Sequence, residues 1–180
     1  MSDKLTTYIT EEQIKEAVTR IAAQIEADYK NKPDANLILV GILKGSTVFM
    51  TDLMRKIDMP LAIDFMSVSS YGKDTQSSGN VKINMDLSIN VSDYDIILIE
   101  DILDSGYTLS KIIQLLQTRK PKSLKVCTLL DKPERRQADV RLDYRGLVIE
   151  DKFIVGYGLD YAEHYRNLPY IAVIEPDDNK

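Results

Sequence analysis

Residues 96–110, IILIEDILDSGYTLS, decide the reading of this chain. Four branched apolar residues in a row fit a strand buried on both faces, as strands of a parallel sheet are. The run ends in Glu100 and Asp101, two acids expected to follow directly on the strand. Adjacent carboxylates repel strongly there unless a positive or hydroxyl-bearing group sits between them, and a magnesium ion or a sugar diol would serve. Three residues on, Asp104-Ser105-Gly106-Tyr107-Thr108 opens a helix carrying Leu109, Ile112, Ile113, Leu115 and Leu116. Such a start offers free backbone N–H groups, two hydroxyls and the positive end of the helix dipole, the makings of a phosphate cradle. The same residues also read as a plain helix cap behind a solvated strand end.

Outward from this stretch, strand and helix signals alternate. Upstream, LILVGIL (37–43) leads through Lys44-Gly45-Ser46 into a predicted helix over 47–56. Earlier still, Thr10 and Gln13 resemble a capping box, and Ile14, Ala17, Val18, Ile21, Ala22 and Ile25 recur at helical spacing. LAIDFMSV (61–68) alternates as a half-buried strand does, and VKINMDL (81–87) does so less cleanly. Between them SSYGKDTQSSGN is polar, bears two glycines and has nothing to pack. Downstream, Arg119-Lys120-Pro121 stops the helix. LKVCTLL (124–130), LVIE (147–150), FIVGY (153–157) and YIAVI (170–174) add short strands, with a charged stretch from Asp131 to Arg145 between the first two. This order predicts an α/β fold with a central, mostly parallel sheet flanked by helices. Ligands of open α/β sheets gather outside the carboxyl ends of the strands, where the unusual residues of this chain lie.

Composition narrows the class of partner. At 180 residues, without internal repeat, low-complexity tract or Pro/Gly/Ser linker, residues 1–180 are expected to form a single domain. No apolar run is long enough to span a membrane, and MSDKLTTYITEEQ has no export signal, so a cytoplasmic protein is expected. A net charge of -5 disfavours general affinity for nucleic acid, which depends on Lys and Arg neutralising phosphates. The single cysteine, Cys127, lies in an apolar strand and excludes both a disulfide framework and a multi-cysteine zinc site.

The string of four branched apolar residues, two acids, two more apolar residues and Asp-Ser-Gly-x-Thr resembles the phosphoribosyl pyrophosphate motif of the type I phosphoribosyltransferases. LVGILKGS (39–46), SSYG (69–72), LLDKPERR (129–136) and DKFIVGYGLDYAEHYRNLPYIAVI (151–174) resemble, in the same order, segments of the hypoxanthine-guanine phosphoribosyltransferases, especially the short bacterial form. The resemblance covers nearly the whole chain. It implies the type I phosphoribosyltransferase fold, with a small hood formed by the chain ends. It also implies transfer of a phosphoribosyl group from phosphoribosyl pyrophosphate to N9 of hypoxanthine or guanine, with Mg2+ as cofactor. The family usually forms homodimers or homotetramers, and nothing in the composition chooses between them.

Residue by residue, the resemblance implies that Glu100 and Asp101 hold the ribose hydroxyls, directly or through magnesium, and that Asp104, Ser105, Gly106 and Thr108 bind the 5′-phosphate. Asp104 would also take or steer the proton on purine N7, a reasonable task for a carboxylate beside the base. Lys44 and Gly45 resemble the loop that grips pyrophosphate through backbone N–H groups, although the segment alone also reads as an ordinary helix start. A nucleotide P-loop is excluded, because Gly follows Lys here. Lys132 would donate to the 6-oxo group, which adenine lacks. Phe153 would stack on the base, and the backbone of Ile154 would face its 2-position. Asp160 would hold a second magnesium through the pyrophosphate, and Arg166 would contact pyrophosphate itself. Without the family, Lys132 is a loop charge, Phe153 and Ile154 are strand core, and Asp160 with Arg166 is a surface ion pair. Ser70 and Tyr71 lie in a segment resembling the family's active-site lid. Of Arg135 and Arg136, spacing from Lys132 favours Arg136 as a pyrophosphate contact. Tyr107 is expected to contribute only backbone, and His164, a lone histidine, to be a surface or packing residue.

Two rivals share the fold class. A non-catalytic regulator binding phosphoribosyl pyrophosphate and nucleic acid would need a basic face or an added DNA-binding domain, and would not need Asp104. A receiver-type signalling domain would share the acidic strand ends but not the Asp-Ser-Gly-x-Thr loop.

Overall fold

The computed structural model describes residues 4–70 and 81–175. Nine strands and three helices follow one another as β1 (Lys4–Ile9), α1 (Glu11–Tyr29), β2 (Leu37–Leu43), α2 (Thr47–Lys56), β3 (Ala62–Ser70), β4 (Val81–Met85), β5 (Asp95–Leu103), α3 (Tyr107–Thr118), β6 (Ser123–Asp131), β7 (Tyr144–Val148), β8 (Ile154–Val155) and β9 (Ile171–Glu175). A short 3₁₀ turn, Pro133–Arg135, follows β6.

Six strands form the central sheet in the order β4-β3-β2-β5-β6-β7. All neighbours run parallel except the edge strand β4, which is antiparallel to β3. The continuous apolar runs are explained by helices on both faces. Leu37 and Leu39 of β2, with Ile97 and Ile99 of β5, turn to the core shared with α1 and α2. Their alternates Ile38, Val40, Ile96 and Leu98 join the core under α3. With side chains pointing to opposite faces in turn, a strand covered twice must be apolar at every position.

From β2 the chain crosses to β3 on one side, and from β5 it crosses to β6 on the other. The loops leaving the adjacent strands β2 and β5 therefore part company and open a crevice at their carboxyl ends. That crevice carries Lys44-Gly45-Ser46 on one lip and Asp104-Ser105-Gly106 on the other. The second sheet, β1-β9-β8, is antiparallel and built from the two ends of the described chain, the expected hood.

Several element boundaries differ from the sequence reading. β5 runs on to Leu103, so Glu100 and Asp101 lie inside the strand, paired along β6 as far as Leu103↔Asp131. FIVGY shrinks to the two residues of β8, because Gly156 (φ 102°) and Tyr157 (φ 51°) turn into left-handed backbone that no strand continues. The strand expected at 147–150 begins at Tyr144, whose buried ring and hydroxyl bond to Asp28 fix that end. β1 escaped notice because only Ile9 of its six residues is buried, which leaves no period-two signal.

Candidate active site

The loop from β5 to α3 is built by one glycine and a clamp. Gly106 is the residue before the helix, at φ 85°, and no described side chain caps the helix there. A Cβ at this point would sit tightly against the Ala138 carbonyl and the Arg136 and Val140 side chains, which adds to the preference for glycine set by the left-handed backbone. Behind it, the N–H groups of Gln137 and Ala138 both donate to the Ser105 carbonyl at 3.0 Å, and Arg136 Nε donates to the Asp104 carbonyl at 3.2 Å. The loop is thus held from its back, and the first N–H groups of α3, which a helix leaves without internal partners, meet no capping side chain among the described residues, as an anion site requires. Asp104 does not cap the helix: its Oδ1 accepts from Arg135 Nε at 3.1 Å.

The acid pair forms the floor. Asp101 is buried, and its Oδ1 accepts from the N–H of Ile102 at 2.8 Å. Burial first, and then the neighbouring Asp101 charge, push the Glu100 carboxyl well above the ordinary glutamate range. Burial also raises Asp101, against the pull of the Arg166 charge and of its hydrogen bonds. These carboxylates are therefore poised for a cation or for hydroxyl donors. Gly45 lies flat against Asp101, and a Cβ on it would overlap the Asp101 carboxylate.

The next wall is a cluster of ion pairs on the loop after β8. The Leu43–Lys44 peptide is cis. Lys44 Nζ meets Glu163 at 2.8 Å; Arg166 Nη2 meets Asp160 at 2.8 Å and Glu163 at 3.6 Å. Arg166 Nη1 donates to the Gly158 carbonyl at 2.7 Å, and Gly158 (φ 101°) packs on the Gly45 carbonyl so closely that a Cβ would collide with it. Tyr157, Ala162, Glu163 and Tyr165 all hold positive φ. Backbone of this kind concentrates at sites whose surroundings fix it.

The opposite wall carries Lys132, only 7% exposed, whose Nζ donates to the Lys152 carbonyl at 2.6 Å and meets Asp151 at 3.5 Å. Its backbone N–H donates to the Leu103 carbonyl, which fixes it beside the end of β5. Phe153 is 53% exposed and meets Tyr161 edge-on at 5.6 Å between ring centres. An aromatic face left bare beside a buried lysine suits a flat heterocycle with a polar edge. Ile154 is buried and paired with Val173 in the hood.

Comparison with known proteins settles the family. The profile of the phosphoribosyl transferase domain matches residues 6–162. The hypoxanthine-guanine phosphoribosyltransferase of Staphylococcus aureus (strain Mu50) is 52% identical over 169 residues, covering 94% of this chain and 93% of that protein. This chain belongs to the hypoxanthine-guanine phosphoribosyltransferases. A crystal structure of a hypoxanthine phosphoribosyltransferase from Staphylococcus aureus superposes with a TM-score of 0.90 at 50% identity, covering 95% of this chain and 91% of that one. A hypoxanthine-guanine phosphoribosyltransferase from Bacillus anthracis superposes equally well, at a TM-score of 0.90 and 47% identity over 97% of this chain and all of that one.

Within this phosphoribosyltransferase fold, the crevice brings Lys44, Gly45, Glu100, Asp101, the 104–108 loop, Asp160 and Arg166 together, with Lys132 and Phe153 at the far end. Arg136 departs from the spacing argument. It turns inward to Asp131 and the Asp104 and Val140 carbonyls, and the neighbouring Arg135 occupies the crevice side. Asp131, Asp151 and Glu163 were missed because carboxylates in charged stretches carry no sequence signal of their own. The backbone of Ser70 ends β3 opposite Val81, while its side chain and Tyr71 lie outside the described residues. His164 joins a local bridge with Tyr161 and stacks edge-on to Tyr165. Cys127 is buried, and burial drives its thiol far above the usual range, leaving it an inert core residue.

Among the described residues no three carboxylate, histidine or cysteine side chains gather in a cage for a metal ion. The donor set still fits magnesium, which is ordinarily held by one or two carboxylates plus substrate oxygens. Glu100 and Asp101 supply such a pair, with burial raising both carboxyls until a cation compensates them.

Proposed function

We propose that this crevice joins hypoxanthine or guanine to phosphoribosyl pyrophosphate, giving inosine or guanosine monophosphate and pyrophosphate. The observation that carries the reading is the continuous path from the acid pair to an uncapped, glycine-turned helix start, with a buried lysine and a bare aromatic ring beside it. In this arrangement the 104–108 loop receives the 5′-phosphate on the N–H groups opening α3, and Ser105 and Thr108 add hydroxyls. Glu100 and Asp101 accept from the ribose hydroxyls. Lys44, Gly45 and Arg166 hold the pyrophosphate through a charge and backbone donors, and Asp160 would hold a second magnesium through it. Mg2+, when bound with the substrate, neutralises pyrophosphate charge and so makes it a better leaving group.

On the base side, Lys132 donates to O6, Phe153 stacks on the ring, and the Ile154 backbone faces the 2-position. As N9 forms its bond to C1′, pyrophosphate leaves with the electron pair of the broken C1′–O bond. The proton on N7 passes to the Asp104 carboxylate. The protein acts as a single domain in the cytoplasm, on small molecules rather than nucleic acid or membrane, as a homodimer or homotetramer. No helix of the described residues is long and apolar enough to cross a membrane.

Asp104→Asn tests the roles. The substitution keeps the shape and removes the basicity, so the dissociation constant for phosphoribosyl pyrophosphate should hold while turnover with hypoxanthine falls about a hundred- to ten-thousand-fold. Near-normal turnover would exclude Asp104 as the proton acceptor.

A further inference from the structure

Arg135 lies on the side of the crevice assigned to the purine. Its Nε donates to Asp104 Oδ1 at 3.1 Å, and its Nη1 meets Asp151 Oδ2 at 3.5 Å. The other oxygen of Asp151 meets Lys132 Nζ at 3.5 Å. One guanidinium therefore bridges the carboxylate proposed to take the N7 proton and the carboxylate steadying the lysine proposed to hold O6. The cations of the pyrophosphate wall, Lys44 and Arg166, pair instead with Glu163 and Asp160. Among the described residues, Arg135 shares no ion-pair partner with either. The short turn Pro133–Arg135 fixes this reach: Arg135 N–H donates to the Lys132 carbonyl at 3.1 Å, which ties the arginine's backbone to the lysine it serves.

We infer that Arg135 is a positioning residue for the base, setting Asp104 and Lys132 at the spacing of purine N7 and O6, and is not a pyrophosphate ligand. N7 and O6 lie on one edge of the purine, so the two side chains must act on it together. A planar fork is the one cationic side chain that holds two carboxylates at a fixed separation. A lysine in its place carries the charge but reaches one carboxylate at a time. With half of the Arg135 side chain exposed (51%), the effect of losing it is that of an exposed ion pair rather than a buried one.

The inference rests on the roles given above to Asp104 and Lys132, and its test keeps the two apart. Arg135→Met and Arg135→Lys are assayed beside Asp104→Asn and the double variant Arg135→Met/Asp104→Asn, with melting temperatures to confirm folding. Arg135→Met should lower kcat/KM for hypoxanthine roughly two- to five-fold, the size of an exposed ion pair. The KM for phosphoribosyl pyrophosphate and the inhibition constant of pyrophosphate should stay at wild-type values, and Arg135→Lys should recover part of the loss. In the Asp104→Asn background the Met substitution should cost measurably less, since the two residues act through one contact. A rise in the phosphoribosyl pyrophosphate and pyrophosphate constants, with hypoxanthine unaffected, would overturn the inference in favour of a pyrophosphate ligand. Wild-type values throughout in Arg135→Met, beside a collapsed Asp104→Asn, would overturn the inference alone. An active Asp104→Asn would overturn the site reading beneath it.

Discussion

The specificity role proposed for Lys132 fits a side chain that is buried with its hydrogen bonds already directed. Its ammonium spends one donor on the Lys152 carbonyl and leans on Asp151, leaving a donor for an oxo group and none to accept from an amino group. Lys132→Ala should therefore raise KM for hypoxanthine and guanine by about ten- to a hundred-fold, the worth of one charge-assisted hydrogen bond. KM for phosphoribosyl pyrophosphate, measured in the same assays, should change much less. Equal losses on both substrates would point to a folding defect instead. At this scale the sequence was legible where backbone conformation dictates the residue. Gly106, which is left-handed, sits in a loop whose residues suggest a phosphate cradle as well as a plain cap, whereas the role of Gly45, which has no room for a side chain, came only with the family resemblance. Arg135 and Arg136 could not be told apart that way, because their directions depend on Asp131 and Asp104, partners that only the folded turn brings within reach.

Elements were legible in proportion to their burial. α1 was readable from both ends inward: the capping box is present, with Gln13 N–H donating to Thr10 Oγ1 at 3.3 Å and Thr10 N–H donating to Gln13 Oε1 at 2.9 Å, and the expected apolar face is buried. Thr10→Ala should cost about 1 kcal/mol of stability, seen as a fall of roughly 2–4 °C in melting temperature for a chain of this size. Activity should be unchanged, because none of the residues assigned to the crevice belongs to α1. β2 and the Ile96–Ile99 run of β5 were equally plain, being apolar at every position for the reason that each is covered twice. The hood was visible only through the family resemblance. β1 presents one buried residue and β8 is two residues long, so neither has a period to detect. Their pairing with β9 is a long-range event written in no local pattern.

For the whole molecule, the acid pair sets a cost of folding that the substrate complex offsets. Both Glu100 and Asp101 have carboxyls raised in the folded state, chiefly by burial. A raised carboxyl holds its proton to higher pH when folded than when unfolded. The unfolded chain releases that proton first, near the ordinary glutamate value of 4.5, so this pair's contribution to stability falls as pH rises from there through the folded value. Glu100→Gln should remove most of that slope and raise the melting temperature of the ligand-free protein at neutral pH, while weakening phosphoribosyl pyrophosphate binding. An unchanged melting temperature and slope would show that the pair is solvated rather than confined.

On the proposed reading, the reaction should depend on divalent metal and on the purine edge together. The most direct test mixes the protein with phosphoribosyl pyrophosphate, magnesium and, in separate reactions, hypoxanthine, guanine or adenine, and measures the nucleotide formed before and after thorough chelation. Inosine and guanosine monophosphates should appear with magnesium, adenosine monophosphate should not, and chelation should abolish both products. Nucleotide from adenine at a comparable rate, no nucleotide from hypoxanthine, or full activity after chelation would contradict the account.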